Sequence, residues 1–126
     1  TSEGMNLAAF LATQDGQARA NVIALWNEFP SVTLPWINKA SHLHVVSQEE
    51  VEHHGLYIAI AKKLHEVSDD VKCLAISHVS FEDGRRVDLQ QLGNMCAETN
   101  AFFAVDVSQS FGVFSVDVQA SCIDAV

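Results

Sequence analysis

Basic residues are scarce: seven Lys and Arg stand against sixteen Asp and Glu in 126 residues, a formal charge of −9. A surface of that sign repels phosphate backbones and anionic headgroups, which argues against duplex nucleic acid and acidic membranes as partners. No apolar run approaches the roughly 18 residues that a membrane span needs. The opening Thr1-Ser2-Glu3-Gly4-Met5-Asn6 has neither the basic nor the apolar region of a secretory leader. It also lacks an initiator Met, so a chain that is processed, cut from something longer, or incompletely sequenced is expected. Cysteine is sparse as well: Cys73, Cys96 and Cys122 are odd in number, far apart and form no CxxC pair. That argues against a disulfide framework and for a reducing, cytoplasmic compartment. Each thiol then reads as a small core residue.

What is present is a chain 48% hydrophobic and 18% charged, the size and polarity of one domain with a core of its own. In residues 1–13, Met5, Ala8, Ala9 and Ala12 fall three or four apart and make one apolar stripe of a helix. Residues 21–26 form a short continuous apolar run, the pattern of a parallel strand covered on both faces. A segment punctuated by Pro30 and Pro35 reads as a loop leading into a short helix, and residues 42–46 as the next strand. Ser47 and Glu50 have capping-box spacing, and the helix behind them places Leu56, Ala59, Ile60, Leu64 and Val67 on one face. Residues 73–76 give a third strand. Asp88 or Gln91 caps a helix with Leu89, Leu92, Met95 and Cys96 on one face. Residues 101–105 give a fourth strand, and residues 123–126 start a fifth. This alternation predicts a three-layer α/β/α fold with a mostly parallel sheet.

Ligands of such sheets bind beyond the carboxyl ends of the strands, which directs attention to Glu28-Phe29, Ser77-His78 and residues 106–109. Asp106 directly follows a buried strand, where its charge costs desolvation unless a cation or backbone N–H groups compensate it. Both compensations are open on position alone. Ser108, Gln109 and Ser110 add donors and acceptors, and Gly112 permits a tight turn. Six histidines show no familiar metal spacing: His42 and His44 share a strand face, His53 and His54 are adjacent, and HEXXH is absent. Ser77, His78 and Asp106 make a triad on paper, but no G-x-S-x-G elbow supports it. The phosphate-loop lysine motif and G-x-G-x-x-G are missing too. Trp26 and Trp36 read as packing residues and Arg85-Arg86 as decoration of a turn, open to an anionic partner.

Three ordered stretches carry a resemblance. They are Thr1-Ser-Glu-Gly-Met-Asn-Leu7; Asn27-Glu-Phe-Pro-Ser31 with Pro35-Trp36; and Ile76-Ser-His-Val-Ser-Phe-Glu-Asp-Gly84, running on to Val105-Asp-Val-Ser-Gln-Ser-Phe-Gly112 and Val116-Asp-Val118. Together they resemble, essentially end to end, the large domain of class V aminotransferase-type enzymes. These bind pyridoxal 5′-phosphate (PLP) on a fold-type I scaffold, and they include cysteine desulfurases, selenocysteine lyases and isopenicillin-N-epimerase-like proteins. The resemblance implies that Asp106 pairs with the protonated pyridine nitrogen and that Gln109 bonds the phenolic oxygen. Thr1 and Ser2 would hold the phosphate at a helix N-terminus, Phe29 would stack on the ring, and His78 would line the pocket.

Two departures from the family pattern stand out. Phe81 occupies a position where many relatives carry an Asn that reaches the cofactor. The Schiff-base lysine, in the family about twenty residues beyond the aspartate, has no counterpart: Lys39, Lys62, Lys63 and Lys72 match no such position. The implied assignment is a single partial PLP-binding large domain over residues 1–126, without the lysine segment and the C-terminal small domain. By itself it would be catalytically silent and would self-associate through uncovered apolar surface. The parent would be a homodimer acting on an amino acid, and the context of Phe29 leans toward the epimerase-like and lyase-like branch. The rival is a non-catalytic α/β binding or assembly module that has lost the lysine.

Overall fold

The structure, a computed structural model, describes residues 2–13, 19–37, 42–67 and 71–126. Its elements run α1 (Ser2–Ala12), β1 (Asn21–Leu25), α2 (Pro30–Ile37), β2 (His42–Val46), α3 (Gln48–His54), α4 (Leu56–Glu66), β3 (Lys72–Ser77), α5 (Leu89–Glu98) and β4 (Phe102–Asp106). The four strands form one sheet in the order β2-β1-β3-β4, and every pairing is parallel. Ser77 is the register partner of Asp106, so β3 and β4 end level with each other. The predicted fifth strand is reduced to a parallel bridge between Ala104 and Ala125. Around it, Phe103 N–H donates to Asp124 Oδ2 and Val105 N–H to Ala125 O.

Successive strand residues point to opposite faces, and here the two faces differ in bulk. Ile23, Leu25, Leu74, Ile76, Phe103 and Val105 pack against α4 and α5. Val22, Cys73, Ala75 and Ala104 pack against α1 and α2. Small strand side chains on that second face meet the alanine stripe of α1 (Ala8, Ala9 and Ala12), so the layers approach closely. Helices thus cover both faces, the three-layer α/β/α arrangement expected from the sequence. No helix among the described residues is long and apolar enough to cross a membrane.

The segment behind the capping box is two helices rather than one. Gly55 breaks it with φ 84° and ψ 153°, a backbone region that glycine enters without a Cβ clash. The capping box itself is complete. Ser47 Oγ accepts from Glu50 N–H at 3.1 Å, Glu50 Oε2 accepts from Ser47 N–H at 2.7 Å, and Lys63 Nζ donates to Glu50 Oε1 at 2.8 Å. Lys63, and then the Ser47 backbone, hold the Glu50 carboxyl down from 4.5 to about 2. A depressed acid contributes stability above its unfolded value and loses it as pH falls through the folded one. Glu50→Gln should therefore cost about 1 kcal/mol at neutral pH. Urea midpoints of variant and wild type should converge between pH 4.5 and about 2. A gap that persists at the acid end would contradict this account.

Candidate functional site

The carboxyl ends of β1, β3 and β4 meet around a cavity of about 300 Å³ lined by Phe29, Ser77, Phe81, Asp106, Ser108 and Gln109 among others. Asp106 is the last residue of β4 rather than the first of the loop, and it is 9% exposed. Its Oδ1 accepts from Ser108 N–H at 2.8 Å and from the Ser108 hydroxyl, closing a tight turn. No described residue donates to Oδ2. Asp106 is little exposed and lines the cavity, so a ligand N–H or cation has a place to bind here.

A second cavity, of about 310 Å³, lies on the other side of Asp106 and Ser108. It is lined by Gly4 and Met5 from the first turns of α1, together with Val105, Phe111 and Ala125. The amino end of α1 thus opens toward the same carboxylate, and its free N–H groups make an anion position. Glu3 in that first turn opposes the effect. Thr1 lies outside the described residues, and Ser2 is the first residue of α1.

Phe29, just before α2, is 48% exposed, which leaves much of its ring open to a planar partner. Phe81 braces it edge-on, with ring centroids 5.2 Å apart and planes at 79°. Phe81, where the resemblance implies an Asn, is an aromatic support for the Phe29 ring. Gln109 reaches the same cavity from the loop after β4.

His78 departs from its expected place. It lines a different cavity, of about 620 Å³, with Tyr57, Arg86 and Phe114. Its Nδ1 is 2.9 Å from Ser110 Oγ, its ring meets Phe114 edge-on, and burial followed by the Arg86 charge lowers its pKa. The Ser77-His78-Asp106 relay does not form. The Ser77 hydroxyl donates to Glu28, and His78 meets Asp106 through the backbone, donating its N–H to the Asp106 carbonyl. Arg85 lies over the Trp26 ring at 5.7 Å and Arg86 over Phe114 at 4.6 Å.

Glu28 is the site residue to which the sequence reading gave no role. Its Oε1 accepts from Ser77 N–H at 3.1 Å and its Oε2 from Ser77 Oγ at 2.6 Å, joining the end of β1 to the end of β3. Burial raises its pKa most and the Asp106 charge adds to that, while the Ser77 hydrogen bonds and Arg85 oppose. Position just after a covered strand was the available signal. Its partner stands 49 residues away, which spacing cannot reveal.

Comparison with known proteins matches residues 1–126 to the family described as Aminotransferase class-V. The cysteine desulfurase IscS of Photobacterium profundum is 35% identical over 81 residues, covering 64% of this chain and 20% of that protein. A probable cysteine desulfurase of Pyrococcus abyssi is 31% identical over 121 residues, covering 94% of this chain and 29% of that protein. The apo structure of a cysteine desulfurase from Thermococcus onnurineus superposes with a TM-score of 0.78 at 27% identity, covering 98% of this chain and 30% of that one. The chain therefore spans between a fifth and a third of these relatives. Their names give no support to the epimerase-like leaning.

Proposed function

Because the chain belongs to the class V aminotransferase family, we propose that residues 1–126 form part of a PLP-binding large domain, in an enzyme that acts on an amino acid. The observation that carries this reading is Asp106, nearly buried at the end of β4, with one carboxylate oxygen held by Ser108 and the other without a donor among the described residues. A protonated pyridine nitrogen supplies that donor and the compensating charge. Gln109 would bond the phenolic oxygen, Phe29 would lie against the ring, and Thr1 and Ser2 would receive the phosphate. Bound there, the ring serves as an electron sink for bonds at the substrate's Cα.

The chain's own residues hold and orient; they do not supply the covalent attachment. Lys62 pairs with Glu66 within α4 and Lys63 of α4 with Glu50 of α3, and Lys72 is buried at the start of β3, at the opposite end from Asp106. None of the three lines the cavity, and Lys39 lies outside the described residues. Catalytic silence of this chain, and homodimerisation and cytoplasmic residence of the parent enzyme, belong to the same proposal. Phe111 at 84% exposure and Val113 at 72% are apolar groups that such an assembly would cover. Alone, the chain should self-associate in light scattering; a stable monomer would contradict that part.

Isothermal titration with PLP and with unphosphorylated pyridoxal tests the binding reading. One saturable site, at least ten-fold weaker for pyridoxal, is expected; heats without saturation would overturn it.

A further inference from the structure

We propose that Glu28 is a positioning and specificity-determining residue of this site: a second carboxylate, tied to the end of β3, that makes the pocket favour a protonated nitrogen heterocycle over a neutral ring of the same shape. The proposal rests on the cofactor reading above. Its ground is geometric. Both Glu28 oxygens are occupied by Ser77, through N–H and hydroxyl, so the side chain is fixed. Ser77 is the register partner of Asp106 and lines the cavity beside it. The two carboxylates come from the ends of β1 and β4, with β3 between them; Asp106 lines the cavity, and Glu28 stands behind Ser77, which lines it.

The charged groups acting on Glu28 are Asp106 from β4 and Arg85 from the hairpin after β3. Arg85 forms no ion pair with either acid. Its guanidinium lies over Trp26, with Nε and Nη2 buried and without hydrogen-bond partners. Asn27, next to Glu28, is engaged elsewhere, donating to Glu82 Oε2 at 2.8 Å. Arg85 offsets Glu28 through space only, without an ion pair, and two carboxylates near one another each favour a nearby cation. The Ser77 tether also fixes the backbone that carries Phe29, so a single residue holds both the stacking ring and part of the field.

The test compares binding of PLP with binding of its carbocyclic analogue, in which a benzene ring replaces the pyridine. Wild type and Glu28→Gln are titrated at pH 7. The substitution should lower the preference for PLP about five-fold while leaving affinity for the carbocycle within two-fold. Equal loss of both affinities means a purely structural role and overturns the proposal, as does an unchanged preference. Binding of neither compound by wild type overturns the cofactor reading, and this proposal with it.

Should the variant not fold, carboxyl-¹³C NMR on wild type decides the matter. The Glu28 titration midpoint should lie lower with PLP bound than with the carbocycle bound. Identical midpoints would sink the idea.

Discussion

Asp106→Asn will weaken PLP binding by roughly ten- to a hundred-fold while leaving the melting temperature within a few degrees of wild type. The amide is isosteric, and its oxygen can still accept from Ser108 N–H and hydroxyl, so the turn after β4 keeps its bonds. The oxygen that lacks a donor becomes an NH₂, which presents hydrogens to a ring N–H where an acceptor is needed. Loss of one hydrogen bond to a charged group is worth about 1.5–3 kcal/mol, which sets the fold-change. Fluorescence titration with PLP and a thermal melt separate the two effects. Undiminished binding would mean that Asp106 is only a turn residue, the bland alternative that its sequence position left open.

Gly93→Ala will have the largest effect on stability. Gly93 sits in α5, and a Cβ there would stand 1.8 Å from the Ser121 carbonyl oxygen and 2.6 Å from its carbon. Backbone, not a flexible side-chain tip, is in the way. Alanine would otherwise gain about 1 kcal/mol in helix propensity, but relieving the clash means lifting the turn at residues 117–123 off α5. That turn is held by Ser121 N–H to Asp117 O and Ile123 N–H to Val118 O. It also leads into Asp124 and Ala125, which pair with β4. Overpacking of this kind costs about 1–3 kcal/mol, a fall on the order of 10 °C in Tm. Calorimetry on the variant checks this; a melt at or above the wild-type temperature would show that the turn is not seated on α5.

The layered fold was legible because burial on both faces leaves a direct trace. The runs at residues 21–26 and 73–76 are apolar without alternation, and only a sheet covered twice makes such runs. The break at Gly55 was not legible, since glycine inside a helical pattern is tolerated and only the observed φ of 84° distinguishes a break. Asp106 stood out because a carboxylate abutting a covered strand must be compensated. Phe29, Asp106 and Gln109 do come together at one cavity. The neighbours of His78 along the chain point to that cavity, but His78 lines another one, where Ser110 and Phe114 receive it. Glu28 with Ser77, Phe29 with Phe81, and Gly93 with Ser121 are contacts between distant segments, which no local spacing encodes.

The most direct test of the central claim is native mass spectrometry of the purified chain with PLP, with and without borohydride. The account predicts one equivalent, held non-covalently, lost on denaturation, not fixed by borohydride and much reduced in Asp106→Asn. No retained equivalent, or one fixed on a surface lysine equally in both proteins, would contradict it.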